Sequence, residues 1–190
     1  IIHWGLERGY LDFAFLIAAG FDSFLRTREL LSLTWGDVRV QDQTGVISLA
    51  HTKIGQRTAA FEASVINDVM IPRLFRKAHA GRASGTSDKF YIFAGSEGRF
   101  YQLFSAAISD LGVAEFGFRP YSLRRGGATA YYRATADMPA TIERGRWSSI
   151  RVARTRRAAR ATRGGRARRR ASIRTRARRR ERDARDSARR

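Results

Sequence analysis

The charge of this chain changes abruptly near residue 150, and that change limits what the chain can fold into. The last forty residues, 151–190, contain 19 arginines and three acidic residues, so they carry +16 of the total net charge of +20. Their only large apolar side chains are Val152 and Ile173. Such a segment cannot bury enough apolar surface to offset the entropy lost on ordering, and we expect it to be disordered. Polyanions are its natural partners, above all nucleic acid.

Residues 1–150 have instead the composition of a folded domain. They hold 18 basic and 14 acidic side chains, a net charge of +4, together with all of the aromatic residues. A body of this length can bury a core of ordinary size. The chain has no cysteine, which excludes disulfides and thiolate metal sites. The apolar run LDFAFLIAAGF (11–21) is too short to cross a bilayer and predicts a buried helix.

Hydrophobic periodicity predicts a mainly helical α+β body around one small sheet. Helical patterns cover GYLDFAFLIAAGF (9–21), RTRELLSL (26–33), INDVMIPRLFRKAHAG (66–81), YQLFSAAISDLGV (101–113), YSLRRGGATAYYRATAD (121–137) and MPATIERGRW (138–147). Three short β-rich runs, WGDVRV (35–40), GVISLAHT (45–52) and TAAFEASV (58–65), are separated by polar or glycine-containing turns. They predict a three-stranded antiparallel sheet.

Four short motifs with charged or aromatic members occur in order along this body. They are RTRELL (Arg26, Glu29), HTKIGQ (Lys53), YSLRRG (Tyr121, Arg124, Arg125) and GRWSS (Arg146, Trp147). Each motif alone also fits an ordinary structural role. An Arg–Glu pair can lie on any helix surface, a lysine in a turn is usually solvated, and a tryptophan can be plain core.

Taken together, the four motifs resemble the catalytic domain of tyrosine recombinases, the family of phage integrases and related enzymes of mobile elements. The first box of that family is an arginine followed by Glu-Leu, an apolar run and a Trp-x-Asp strand start, as in RTRELLSLTWGDV. Its lysine lies in a β-hairpin as Thr-Lys-x-Gly, as in TKIG. Its second box is His-x-Leu-Arg, which YSLRRGGAT matches except at the first position. The resemblance covers roughly residues 1–149.

The resemblance implies an attack of a tyrosine hydroxyl on a DNA phosphodiester, which forms a 3′-phosphotyrosyl link. By the same resemblance Arg26 and Arg124 bind the phosphate oxygens, as planar guanidiniums can do bidentately. Lys53 would protonate the departing 5′ oxygen, and Trp147 would donate its indole N–H to a phosphate oxygen. Tyr121 stands where the family has a histidine. A phenol assists proton transfer less readily than an imidazole at neutral pH.

The resemblance assigns further roles around this catalytic set. Glu29 would orient the first box, and Arg146 would contact DNA. Arg125 is expected to be either a flanking contact to the DNA backbone or a surface charge. The small residues Gly126, Gly127 and Ala128 are expected to let the start of the helix approach that backbone, where its N–H groups add positive potential. No metal or other cofactor is implied, since the arginines supply the positive charge.

The nucleophile of the family is missing from its expected position. It follows the Trp147 position by about nine residues, where this chain has Arg156, and no tyrosine occurs after Tyr132. Arginine cannot take its place, because its guanidinium stays protonated. The loss coincides with the change of composition near residue 150. Two explanations stay open: a genuine basic tail, or an out-of-frame reading of GC-rich coding DNA in a decayed mobile element.

The expected organisation is a recombinase-like catalytic domain over residues 1–149 and a low-complexity tail over residues 150–190. The N-terminal DNA-clamping domain of the family is expected to be absent. Three hypotheses compete: a recombinase domain that binds DNA without cleaving it, a non-enzymatic nucleic-acid-binding protein with the same fold, and a helical structural domain with coincidental motifs. Duplex DNA is the expected partner, assembly of several copies on it stays open, and a nuclear or nucleoid location is expected.

Overall fold

The structure is a computed structural model that describes residues 1–49 and 62–147. The chain separates into two compact units, Ile1–Arg146 and Trp147–Arg190, and Trp147 is the one described residue of the second unit. Lys53, Arg156 and the arginine-rich tail lie outside the described residues. The predictions made for them therefore remain predictions.

The described residues form seven α-helices and three β-strands. The helices are α1 (Ile2–Glu7), α2 (Leu11–Asp22), α3 (Thr27–Leu31), α4 (Met70–Ala80), α5 (Glu97–Asp110), α6 (Tyr121–Thr135) and α7 (Met138–Arg144). The strands are β1 (Val38–Gln41), β2 (Thr44–Leu49) and β3 (Glu62–Ile66), and two short 3-10 turns cover Trp35–Asp37 and Ala114–Phe116. This architecture confirms the predicted α+β class. The short helix α1 was not predicted.

The sheet is antiparallel in the order β1-β2-β3, as the sequence predicted. Val38 pairs with Ile47 across β1 and β2, and Ile47 pairs with Ser64 across β2 and β3. These three residues are buried, whereas the opposite face of the sheet carries Val46 and Val65, which are paired and exposed. The alternation follows from the two-residue period of a strand, and it places one face of the sheet on the core.

Helix α2 is the centre of the domain. Every residue from Phe13 to Gly20 is buried, and the helix packs against α1, α3, α4 and α6. Its ring contacts run in two directions, since Phe13 lies 5.2 Å from Phe100 of α5 and Phe15 lies 5.2 Å from Phe75 of α4, measured between ring centroids. A helix that is apolar all round must be enclosed by other elements. This explains why the run at 11–21 is apolar although it is too short to cross a membrane.

Helix α6 crosses the C-terminal end of α2 at a pair of glycines. A Cβ atom built on Gly127 would lie 1.8 Å from the carbonyl oxygen of Phe21, so only glycine allows this approach. A Cβ atom on Gly126 would instead lie 3.1 Å from the partly exposed ring of Phe21. Gly127 therefore serves the packing of two helices. The expectation that the glycines bring the start of the helix close to DNA stays a prediction.

Replacing Gly127 by Ala is expected to destabilise the domain. The methyl group would collide with backbone, which cannot move away as a flexible side chain can, so overpacking should cost about 2–3 kcal/mol. The gain in helix propensity, about 1 kcal/mol, offsets only part of this. Urea denaturation followed by circular dichroism measures the difference in the free energy of unfolding.

Gly126→Ala is the matched control for this change. It makes the same gain in helix propensity in the same helix, but its methyl group meets only the ring of Phe21, which can rotate. We expect this variant to be at least as stable as the parent chain. If both variants lose stability equally, the close approach at Gly127 is not what constrains the helix crossing.

Candidate functional site

Glu29 is placed by the local structure of the first motif. Arg26 is the N-cap residue of α3, and its backbone N–H donates a hydrogen bond of 2.7 Å to Oε2 of Glu29. The guanidinium of Arg26 donates through Nη1 to Oε1 of the same carboxylate. A glutamate at the third helical position commonly closes a helix N-terminus in this way. The sequence Arg-x-x-Glu thus produces a buried carboxylate with an arginine bound to it.

A second arginine reaches the same carboxylate from the end of α7. Nη2 of Arg146 donates to Oε2 of Glu29 at 2.8 Å, and Nε lies 3.4 Å from Oε2 of Glu62 at the start of β3. Arg146 has a φ of 51°, a left-handed conformation that is unfavourable for a residue with a side chain. The two ion pairs help to hold the residue in this conformation. Arg146, predicted as a DNA-backbone contact, is thus bound to two carboxylates.

A third arginine, Arg124 of α6, completes the group and is only 1 % exposed. Its Nη1 donates to the carbonyl oxygen of Phe24, and its Nη2 donates to that of Gly145. Nη1 also lies 3.8 Å from Oε2 of Glu29. Arg124 therefore ties the segment between α2 and α3 to the end of α7. We call Glu29, Arg26, Arg124 and Arg146 the guanidinium cluster.

The pKa values in the guanidinium cluster follow from burial and mutual charge. Burial lowers the pKa of Arg124 to about 10, with further lowering by the positive charges of Arg26 and Arg146. Burial acts to raise the pKa of Glu29, but the backbone N–H of Arg26 and the neighbouring guanidiniums outweigh it, and the pKa is lowered. Arg124 and Glu29 are therefore charged at neutral pH. The formal charges of three guanidiniums and of the two carboxylates of Glu29 and Glu62 sum to a positive site.

The remaining predicted site residues are placed as follows. Tyr121 is the first residue of α6 and is 37 % exposed, and it lies near enough to Arg124 to influence the pKa of that guanidinium. Arg125, the next residue of α6 after Arg124, is half-buried. Trp147 directly follows Arg146 in the chain. Arg26 and Arg124 therefore meet at Glu29, whereas Lys53 lies outside the described residues.

One supporting contact was missed by the sequence analysis. Arg144 of α7 donates to the carboxylate of Asp22 at 2.8 Å and to its carbonyl oxygen at 3.0 Å. Its guanidinium also lies 5.5 Å from the ring centroid of Phe24 and 5.3 Å from that of Tyr131. This contact fixes the segment whose Phe24 carbonyl accepts from Arg124. No local pattern marks it, because Arg144 and Asp22 are 122 residues apart.

Two kinds of structural feature are absent from the residues that the structure describes. No group of three or more His, Asp or Glu residues in 1–49 and 62–147 could hold a metal ion. Over the same ranges, no helix combines the length and the apolar character needed to cross a membrane.

Comparison with known proteins shows a similarity in structure. No family model and no curated protein matches the sequence. The structure is similar to the XerH site-specific recombinase bound to difH substrate in a pre-cleavage complex, with a TM-score of 0.63 and 17% identity, over 77% of this chain and 42% of that chain. A post-cleavage complex of XerH with palindromic difH substrate gives a TM-score of 0.62 and 17% identity, over 76% and 41%.

The similarity establishes the fold. This chain has the fold of a tyrosine-recombinase-like domain, mostly helical with a three-stranded antiparallel sheet, as the four motifs predicted. The chain spans less than half the length of the XerH chains that it matches.

Replacing Glu29 by Gln should destabilise the domain in a pH-dependent way. The variant leaves buried guanidiniums without their shared counter-ion, which should cost about 3 kcal/mol at neutral pH. Because the pKa of Glu29 is lowered from 4.5 in the fold, its stabilising effect is present above that value and is lost as the pH falls through the folded pKa. The difference in unfolding free energy between parent and variant should therefore shrink in acid. Urea titrations from about pH 7 to about pH 3 measure it.

Glu115→Gln serves as the control, since Glu115 is an exposed glutamate in the turn Ala114–Phe116. This variant should follow the parent chain across the whole pH range. A constant difference between Glu29→Gln and the parent at all pH values would show that the charge of Glu29 is not what stabilises the cluster.

Proposed function

We propose that this chain is the DNA-binding, catalytic-type domain of a site-specific tyrosine recombinase, and that it binds duplex DNA without cleaving it. The observation that carries the proposal is the convergence of Arg26, Arg124 and Arg146 on Glu29. It occurs in a fold similar to that of a recombinase solved in complex with its DNA substrate. These guanidiniums come from elements far apart in the sequence, so their meeting is a property of the fold.

The charge of the cluster suits a phosphodiester. Guanidiniums form charge-assisted hydrogen bonds with phosphate oxygens, and they stabilise negative charge better in a partly buried site than in water. The side chain of Arg26 is 41% exposed, so it can reach a ligand from solvent. Lys53 and Trp147 complete the predicted site by resemblance, with Lys53 as the acid and Trp147 as an indole donor.

The missing nucleophile supports binding without cleavage. A phosphotyrosyl intermediate needs a hydroxyl in line with the phosphate, and transition-state stabilisation has nothing to act on without it. The expected position holds Arg156, and no tyrosine follows Tyr132. The same observation favours a second candidate, a non-enzymatic DNA-binding protein that retains the recombinase fold. The two candidates share the phosphate site and differ in covalent chemistry.

The tail should add affinity without specificity. We propose that residues 150–190 act as a basic segment whose arginines neutralise DNA phosphates, regardless of the base sequence of the DNA. The cluster in the body then supplies the structured contact.

Duplex DNA binding should be strong at low salt and should fall steeply as salt is raised. Each neutralised phosphate contributes about −0.9 to the slope of log affinity against log salt. Deleting residues 151–190 should flatten the slope but leave weaker binding by the body. Fluorescence anisotropy with a labelled duplex at several salt concentrations measures both quantities. Complete loss of binding in the deletion would show that the body is not a DNA-binding domain.

A nicked suicide duplex should yield no covalent protein–DNA adduct with the parent chain on denaturing electrophoresis. Arg156→Tyr places a hydroxyl at the spacing of the family, and we expect this variant to form an adduct. Arg157→Tyr is the neighbouring control, one residue out of register. An adduct with the parent chain would mean that another residue attacks the phosphate, and the proposed loss of cleavage would be wrong.

A further inference from the structure

The segment that leads into α6 carries two exposed phenylalanines side by side. Phe116 is 62% exposed and Phe118 is 38% exposed, and their ring centroids lie 5.9 Å apart with the ring planes 33° from parallel. We call residues 114–120 the aromatic loop. Phenylalanine is one of the residue types most often buried, so a pair of exposed rings in contact is a candidate binding surface.

Backbone hydrogen bonds hold the aromatic loop at both ends. The N–H of Gly117 donates to the carbonyl oxygen of Ala114 at 3.1 Å, and Gly117 has a φ of 63°, the left-handed conformation that favours glycine. At the other end, the N–H of Arg119 donates to Oγ of Ser122 at 3.1 Å, and the N–H of Ser122 donates to the carbonyl oxygen of Arg119 at 2.7 Å. The two rings are therefore presented by a defined turn, which reduces the entropy that binding would cost.

The charge around the two rings is positive. The aromatic loop and the start of α6 carry three arginines, Arg119, Arg124 and Arg125, and one acidic residue, Glu115. Arg119 is exposed. Tyr121 precedes Arg124 by three residues and Arg125 by four, and this spacing places side chains on the same side of a helix. The aromatic loop thus leads directly to the guanidinium cluster, the proposed phosphate site.

We propose that the aromatic loop binds an unpaired base of DNA, with Phe116 and Phe118 as the stacking surface and Arg119 as a contact to the phosphates of the same strand. The inference rests on the proposed DNA-binding function and adds to it a base contact outside the four motifs. Within a duplex, neighbouring base pairs cover both faces of a base, whereas an unpaired base can turn its face to a side chain. Every base has such a face, so the contact does not depend on base sequence.

Charge favours a nucleic acid over a second copy of this chain as the occupant of the aromatic loop. A symmetric contact between two copies would bring the same surface of each against the other. It would place the arginines beside the rings opposite one another, and like charges facing each other oppose association. A DNA strand supplies both an apolar face for the rings and negative charge for Arg119.

Fluorescence anisotropy with two labelled duplexes tests the inference on the full chain. One duplex is fully paired, and the other has the same sequence with a short gap in one strand. The parent chain should bind the gapped duplex on the order of tenfold more tightly, the effect expected of stacking one base on aromatic side chains. The double variant Phe116→Ala, Phe118→Ala should bind the two duplexes equally. Circular dichroism checks that it is folded, as the exposure of both rings leads us to expect.

The matched control is the double variant Phe90→Ala, Tyr91→Ala. These two neighbouring aromatic side chains lie between α4 and α5 and are also exposed. The control removes a similar exposed aromatic surface from a segment that does not lead into α6, so it should keep the preference for the gapped duplex. Equal loss of the preference in both double variants would show an unspecific effect of exposed rings and would overturn the site.

Photocrosslinking locates the base without any substitution in the protein. A 5-iodouracil base placed in the gap, irradiated with the parent chain and mapped by peptide mass spectrometry, should attach to the peptide that contains Phe116 and Phe118. The same base in the paired duplex should attach there much less. Attachment confined to other peptides would overturn the inference, whether or not the double variant folds.

Two further outcomes separate this inference from the proposed function. Equal binding of both duplexes by the parent chain would overturn the base contact and leave the proposed DNA-binding site intact. A double variant that keeps the preference but loses self-association in analytical ultracentrifugation would show that the aromatic loop joins two copies, and the base contact would be wrong. Loss of paired-duplex binding on deletion of residues 151–190 would instead overturn the proposed function of the body, on which the base contact rests.

Discussion

The site depends on a single buried carboxylate. Glu29 accepts hydrogen bonds from Arg26 and Arg146 and lies 3.8 Å from a donor of Arg124. Three guanidiniums brought together in a partly buried region would repel one another, and each would lose its hydration. One shared carboxylate, supported by Glu62, makes their convergence tolerable. The guanidinium cluster therefore contributes to the packing of the elements around it, and it is also a candidate binding site.

The position of that carboxylate is set by the end of α2. The helix is enclosed by apolar neighbours, and its last residues supply polar groups to the site: Asp22 binds Arg144, and the Phe24 carbonyl that follows accepts from Arg124. Gly127 brings α6 against this same end, which places Arg124 within reach. Apolar packing thus determines where the charges meet, because the crossing of α2 and α6 fixes the distance between them.

The sequence predicted the parts of this arrangement that depend on local pattern. The period of the strands and the apolar run of α2 indicated the α+β class, and the pattern of RTRELLSL predicted a helix where α3 lies. The six-residue helix α1 was missed, since it is too short to show a clear period. Contacts between distant residues, such as Arg144 with Asp22, leave no local pattern. The close approach of Gly127 to Phe21 was not predicted for the same reason, because Phe21 lies on another helix.

A sequence motif does not predict how exposed each of its side chains is in the folded domain. Arg26 and Arg124 are the same residue type in two boxes of the resemblance, yet the domain leaves one at its surface and encloses the other. The difference arises from the chain connections around them, since Arg124 lies beneath the segments whose carbonyls it binds. A buried guanidinium with its donors bound to backbone costs little reorganisation when a ligand arrives, because it is already fixed. An exposed guanidinium on such a fixed frame has less conformational freedom to lose than a solvated arginine has, and Glu29 with the two buried arginines forms that frame around Arg26.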